Sequence, residues 1–423
     1  MSAPASLNAP ALLAAYQQDM EAEAARIADF WLTNAVDERR GGFIGRMDSA
    51  GRIDPNAGKG SVLNARILWT FSALYRHTGR VEYRPAATRA YQYLRTHFLN
   101  QEYGGLHWLV NAQGQPQDSR QQVYALAFAI YGLSEYYRAT QEPGALQASQ
   151  QLFEWMEAHS YDAEHGGYFE ALAPTGEQLD DQRLSDKDLN APKTMNTHLH
   201  ILEAYANLYH IWPEARLAER LRHLLQVFET HIVDAEAGHL RLFFARDWTP
   251  VADLVSYGHD IEAAWLLPEA AEALGDAALL ARTNALAQRL ARAAAAALLP
   301  DGSLPHELNR ATQHQDLHRE WWVSAEAMVG FLHAYELTHD EAMLHRSNGA
   351  WRFAQQHLLD LESGEWRWGV YDDYQPMREH DKIGFWKCPY HNVRACLEVS
   401  RRCKNQLLHF EAAKRDLKLL KTA

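Results

Sequence analysis

The segment SYGHDIEAAWLLPEA, residues 256–270, sets an imidazole, His259, and a carboxylate, Glu262, one turn apart at the start of an apolar run. Histidine takes or gives a proton near neutral pH, and the positive end of a helix dipole disfavours imidazolium, so a ring at a helix entrance stays available as a base. Glu262 falls on the same face and can hold His259 or another polar neighbour in register. Comparable residues recur along the chain: Arg66 in LNARILWTF, Tyr124 in VYALAF, Trp322 in EWWVSAEA and His391 in CPYHNVRA. In MNTHLHILEA, Asn196 and His200 are four apart and share a face. His198 and His200, two apart, point to nearly opposite sides of a helix, so THLH is not a pair that chelates one metal ion. Trp108, Trp321, Trp322, Trp366, Trp368 and Trp386 lie in or near expected loops and helix entrances. An aromatic face of this kind packs against the C–H face of a sugar ring.

Composition narrows the substrate. The 423 residues carry 54 acidic and 41 basic side chains, a formal charge of −13, and no long basic run, which argues against nucleic acid or an anionic membrane as a partner. With no phosphate-cradling glycine loop, an uncharged small molecule fits best. The three cysteines, Cys388, Cys396 and Cys403, lack metal or disulfide spacing and read as reduced thiols. The first thirty residues lack a basic n-region and an uninterrupted apolar stretch, and no segment reaches membrane-spanning length without charges, so a cytoplasmic protein is expected.

The elements that must position these residues follow from a repeat. Glycine-centred turns at Gly42, Gly105, Gly167, Gly238, Gly302 and Gly364 are separated by 63, 62, 71, 64 and 62 residues. Each interval holds a short hairpin and two helices with apolar residues at three- and four-residue spacing. Six helical hairpins, each with one strongly apolar helix, predict an all-α, closed (α/α)6 barrel formed as a single domain over residues 1–423. An open solenoid is disfavoured because no terminal repeat is conspicuously polar. In this arrangement Arg66, Tyr124, Asn196, His200, His259, Trp322 and His391 all fall near the start of the second helix of their repeat, and converge on one end of the barrel.

At these residues the chain resembles the cellobiose 2-epimerase group of the N-acylglucosamine 2-epimerase superfamily. The matching strings are LNARILWTFSALYR, VYALAFAIYGLSEYYRAT, KTMNTHLHILEAYANLY, YGHDIEAAWLL, EWWVSAEAMVGFLHAY and FWKCPYHNVRACLE, in order over nearly the whole length. The resemblance implies an (α/α)6 barrel that epimerises C2 of the reducing-end glucose of cellobiose-type disaccharides, with no metal and no redox cofactor. It implies that His259 and His391 are the acid/base pair and that Arg66, Asn196, His200, Glu262, Trp322 and Trp386 line the pocket, with Tyr124 and Asp188 nearby. In that chemistry the pyranose opens, a base removes the C2 proton to leave an enediolate, and a proton returns to the opposite face. Arg66 then stabilises the oxyanion, His200 and Asn196 serve ring opening, and Glu262 orients a histidine. The expected partner is a small sugar, a disaccharide or an aldose; the sequence sets no oligomeric state and is compatible with a monomer.

Some positions depart from the family pattern. Gln121, Gln122 and Leu126 surround Tyr124, Pro305 and His306 stand where relatives usually have aromatic residues, and Pro268 gives the helix after His259 a place to kink. The competing readings are a mannose–glucose 2-epimerase or an aldose–ketose isomerase, which shares the enediolate, and a glycoside hydrolase, which needs paired carboxylates across the scissile bond.

Overall fold

The computed structural model describes residues 8–422, with side chains through residue 412. Twelve helices alternate between two roles. The inner set is α2 (Ser61–Thr78), α4 (Val123–Thr140), α6 (Met195–Tyr209), α8 (Tyr257–Ala273), α10 (Trp321–Thr338) and α12 (Tyr390–Thr422). The outer set is α1 (Ala9–Asn34), α3 (Tyr83–Tyr93), α5 (Pro143–His159), α7 (Ala215–Val227), α9 (Ala277–Ala296) and α11 (Glu341–Phe353). Each inner helix packs on the next, and α12 packs back on α2, so the inner ring closes. Outer helices α3, α5, α7, α9 and α11 cover the inner helices that precede them, while α1 covers α12. First and last helices therefore complete the sixth pair, and the expected (α/α)6 barrel is what the chain forms.

Side-chain chemistry separates the rings. From Ser61 to Leu74 every residue of α2 is buried, as expected of a helix with neighbours on all sides. In α7, ARLAERLRHLLQV buries Leu217, Ala218, Leu221, Leu224 and Leu225 along one stripe and gives charges to water. Pro268 stands inside α8, which continues through it to Ala273. Among the described residues no helix is long and apolar enough to cross a membrane.

The glycine markers all have positive φ, from 61° at Gly42 to 94° at Gly364, the left-handed geometry their turns require. A second repeated feature accompanies them. Asp37, Asn100, Asp162 and Asp234 each accept backbone N–H groups two and three residues onward, pinning the same turn. Buried Lys59 and Lys193 then bind Asp37 and Asp162 at 2.8 and 2.9 Å and cap Gly41 and Gly166 carbonyls. By hydrogen-bond pattern Gly238 and Gly364 are equivalent to Gly41 and Gly166, one position earlier than the glycines chosen as markers in the first three repeats.

Short strands fix which end of the barrel carries the site. Lys59–Gly60 pairs with Leu109–Val110, Gln121–Gln122 with Ala171–Leu172, and Lys193–Thr194 with Phe243–Phe244. Leu254–Ser256 pairs with Glu307–Asn309 and Arg319–Glu320 with Gly369–Val370, all antiparallel; a bridge from Met47 to Ile383 completes the circuit. Each of the five strands immediately precedes an inner helix. The N-termini of the inner ring are thereby tied to one end.

Candidate active site

The strand circuit brings the sequence-predicted residues together. Arg66 enters from α2, Tyr124 from α4, Asn196 and His200 from α6, His259 and Glu262 from α8, Trp322 from α10, and His391 from α12. Arg66 Nη2 donates to Tyr124 Oη at 2.7 Å, and its guanidinium lies over Phe128 at 4.1 Å and Tyr390 at 5.0 Å. Those rings hold the cation in one orientation. Its buried Nε makes no hydrogen bond among the described residues.

Trp322 sits between two histidines. Its ring is 4.7 Å from that of His259 and 5.9 Å from that of His391. Its indole N–H donates to Glu320 at 2.6 Å, and Glu320 also takes the Trp368 indole at 3.1 Å. Gly258 makes room for this stack: a Cβ there would fall 2.5 Å from Trp322 Cη2. Trp108, Phe385 and Trp386 form an aromatic cluster, with Trp386 6.0 Å from Tyr124.

Each imidazole is held through Nδ1. Ser256 Oγ contacts His259 Nδ1 at 2.7 Å, Glu203 contacts His200 Nδ1 at 3.0 Å, and Glu326 contacts His391 Nδ1 at 2.7 Å. The Nε2 atoms of all three make no hydrogen bond among the described residues. Burial pushes His259 down to about 3, helped by neighbouring His200 and His306. Burial also holds His391 well below the ordinary imidazole value, and Arg66 and Arg394 push the same way. In both rings burial favours the neutral form.

Below the histidines lies a charged cluster that sequence reasoning missed. Arg394, fully buried on α12, donates to Glu262 at 2.5 Å, to Glu326 at 2.7 Å, and to Glu203 and Tyr390. Burial opposes ionisation of Glu203, but Arg394, His200 and Tyr390 outweigh it and hold the carboxyl at about 2. Glu262 goes the other way: burial, then repulsion from Glu326, raises it to about 7. Its Oε2 is buried with no partner. The expectation that Glu262 orients a histidine is corrected on hydrogen bonding: Glu262 takes Arg394, Glu326 holds His391, Glu203 holds His200, and Ser256 holds His259. Reach decides this: Glu203 meets His200 one turn earlier on α6, whereas Glu262 and Glu326 meet Arg394 and His391 of α12.

Other predicted residues have different surroundings. Asp188 accepts from the Ser185 backbone and hydroxyl at 2.8 and 2.9 Å, closing its own loop. That loop lies in the longest interval between glycine markers. Asn196 Oδ1 is buried without a partner at the entrance of α6. Asp260, of the same YGHD string as His259, binds His239 and the Leu240 N–H and braces a hairpin. Among the described residues, two groups offer metal-ligand atoms within 4.8 Å of one another: Glu262, Glu326 and His391, and His306, His318 and Glu320. Arg394 already supplies a positive charge to the first.

The missed residues carried a signal. Glu203 in HILEAYANLY, Glu326 in SAEAMVGFL and Arg394 in HNVRACL are charges within helices buried on every side. A charge in such a place must find a partner.

A closed double ring of helices with acid/base side chains and tryptophans at one mouth is the architecture of an (α/α)6-barrel carbohydrate isomerase. Residues 42–395 match the family described as N-acylglucosamine 2-epimerase (GlcNAc 2-epimerase). A cellobiose 2-epimerase of Bacteroides fragilis is 47% identical over 384 residues, covering 90% of this chain and 98% of that protein. One from Ruminococcus albus is 37% identical, covering 89% of this chain and 96% of that protein. The solved cellobiose 2-epimerase of Spirochaeta thermophila superposes with a TM-score of 0.89 at 39% identity, over 96% of this chain and 100% of that one. The chain belongs to the N-acylglucosamine 2-epimerase family.

Proposed function

We propose that the protein interconverts the reducing-end glucose and mannose of β-1,4-linked disaccharides, cellobiose to glucosylmannose and lactose to epilactose, by proton transfer at C2. The observation that carries this reading is the pair of imidazoles, His259 and His391, set around Trp322, each held at Nδ1 with Nε2 unengaged. An enediolate mechanism needs a base on one face of C2 and a proton on the other, and two histidines from different helices supply both. Trp322 packs against the sugar ring and fixes C2 between them. Trp386 belongs to the same aromatic mouth, and Tyr124 fixes Arg66.

The steps follow from the proton inventory. His200, whose Nδ1–H is committed to Glu203, presents Nε2 for ring opening, with Asn196 Oδ1 accepting a sugar hydroxyl. The opened aldehyde loses its C2 proton to one imidazole, and the electron pair moves onto the carbonyl oxygen. Arg66 stabilises that oxyanion, a contribution of roughly 3–4 kcal/mol for a well-placed donor. Reprotonation of the opposite face requires the second imidazole to arrive protonated. Glu262, pushed up to about 7 and within 4.8 Å of His391, is the neighbouring group that can share that proton.

The disaccharide assignment is supported by the relatives at 47% and 37% identity, both cellobiose 2-epimerases. The test is proton NMR of the EDTA-treated protein in D2O with cellobiose, glucose and mannose separately. A 2-epimer deuterated at C2, formed fastest from cellobiose, is expected. A ketose would mean reprotonation at C1, free glucose from cellobiose would mean hydrolysis, and faster turnover of mannose would move the substrate to monosaccharides.

A further inference from the structure

The hairpin of Glu307–Asn309 with His314–Asp316 leads directly into Arg319–Glu320. It gathers His306, His318 and Glu320 beside Trp322, with one ligand-capable atom from each within 4.8 Å of the others. The proton transfer described above uses none of the three. His306 and His318 stack, with ring centroids 4.2 Å apart. Asp316 binds His318 Nδ1 at 2.5 Å, which leaves Nε2 facing Glu320 Oε1 at 3.3 Å. In the neutral ring these are two acceptors facing each other, an arrangement relieved by a proton on the imidazole or by a cation between them. His306 Nδ1 is enclosed and has no hydrogen-bond partner among the described residues.

We propose that His306, His318 and Glu320 form a binding site for a borderline divalent cation such as Zn2+, and that its occupation inhibits turnover. Two imidazoles and one carboxylate are a donor set suited to Zn2+, Co2+ or Ni2+. Asp316 behind His318 is the carboxylate that fixes tautomer and ring orientation in such sites. The inhibitory half follows from Glu320. The same carboxylate takes the Trp322 and Trp368 indoles, and Trp322 packs against His259 at 4.7 Å. A cation that draws Glu320 toward the imidazoles loosens Trp322. Inhibition rests on the acid/base reading of His259, whereas binding does not.

The experiment separates the two halves. The full-length chain, free of any histidine tag, is titrated with CoCl2 while visible d–d absorption is followed, then with ZnCl2 as competitor; cellobiose turnover is measured in parallel. One Co2+ per chain is expected, displaced by Zn2+, with affinity at least tenfold lower in both His306→Phe and His318→Asn. Zn2+ inhibits the wild type, a chelator restores it, and His306→Phe needs at least about tenfold more Zn2+ for the same loss. Circular dichroism identifies a variant that fails to fold, and the other then decides. Absence of Co2+ bands up to about 1 mM, or bands that the folded variants leave unchanged, overturns the site. Stoichiometric Zn2+ binding with undiminished turnover overturns the inhibition.

Discussion

His198 and His259 stand at the entrances of two inner helices, and burial pushes each down to about 3. They differ in what their nitrogens do. His198 Nδ1–H donates to the Thr194 carbonyl at 2.7 Å, and its Nε2 accepts the Tyr168 N–H at 2.9 Å. Its ring packs against Trp248, away from the pocket. His259 is held by Ser256 at one nitrogen only and packs at a tilt against Trp322, with its edge open. A depressed imidazole is thus common to a structural post and a proposed base. What separates them is a nitrogen left unsatisfied where a substrate can reach it.

The comparison can be broken by substitution. His259→Asn and His391→Asn are expected to lower kcat by about 10²–10⁴-fold while keeping the melting temperature close to wild type. His198→Asn should do the reverse: about 1–3 kcal/mol less stable in denaturant titration because two buried backbone groups lose their partner, with kcat of the folded enzyme within a few-fold of wild type. If His198→Asn costs as much activity as His259→Asn, the distinction fails.

Arg394→Met extends the same logic to the charged cluster. It leaves three buried carboxylates without their cation, and is expected to cost about 3–5 kcal/mol in equilibrium unfolding. A smaller loss, with kcat unaltered, would show that the acids find other partners. Gly258→Ala is milder. The new methyl must displace Trp322, so strain of about 1–3 kcal/mol is expected, with a rise in KM for cellobiose as the platform shifts.

The same pair is sharpened by pH dependence. His198 and His259 bind protons less readily in the fold than in the unfolded chain. Their contribution to stability is complete above the ordinary imidazole value near 6.5 and is lost as pH falls from there toward about 3. Removing one titrating ring by His198→Asn should reduce the slope of stability against pH in that window by up to about 1.4 kcal/mol per pH unit. An unchanged slope would mean that His198 already titrates normally.

Much of this was legible in the sequence, for identifiable reasons. The left-handed glycines recur at nearly constant spacing because every repeat makes the same turn, so the six-fold ring could be counted. His200, His259 and His391 stood out because each follows a turn and begins an apolar helix. The Arg394 cluster stayed hidden because its bonds join residues 68 to 191 positions apart. Nothing local says which of several buried acids faces which cation. Glu262 illustrates the limit: its three-residue spacing from His259 is a helix-surface rule, and in a closed ring the stronger claim comes from Arg394 across the barrel. Lys59 and Lys193 were overlooked for a related reason, since each binds the turn that ends the preceding outer helix.

The most direct test of the two-histidine account is exchange of the C2 hydrogen in D2O, followed by NMR for His259→Asn and His391→Asn with cellobiose and, separately, its 2-epimer. Each variant should lose epimerisation yet still wash deuterium into C2 of one epimer, a different one in each case, because the remaining imidazole serves a single face. Epimerisation at near wild-type rate in either variant, or exchange into both epimers by one of them, would contradict it.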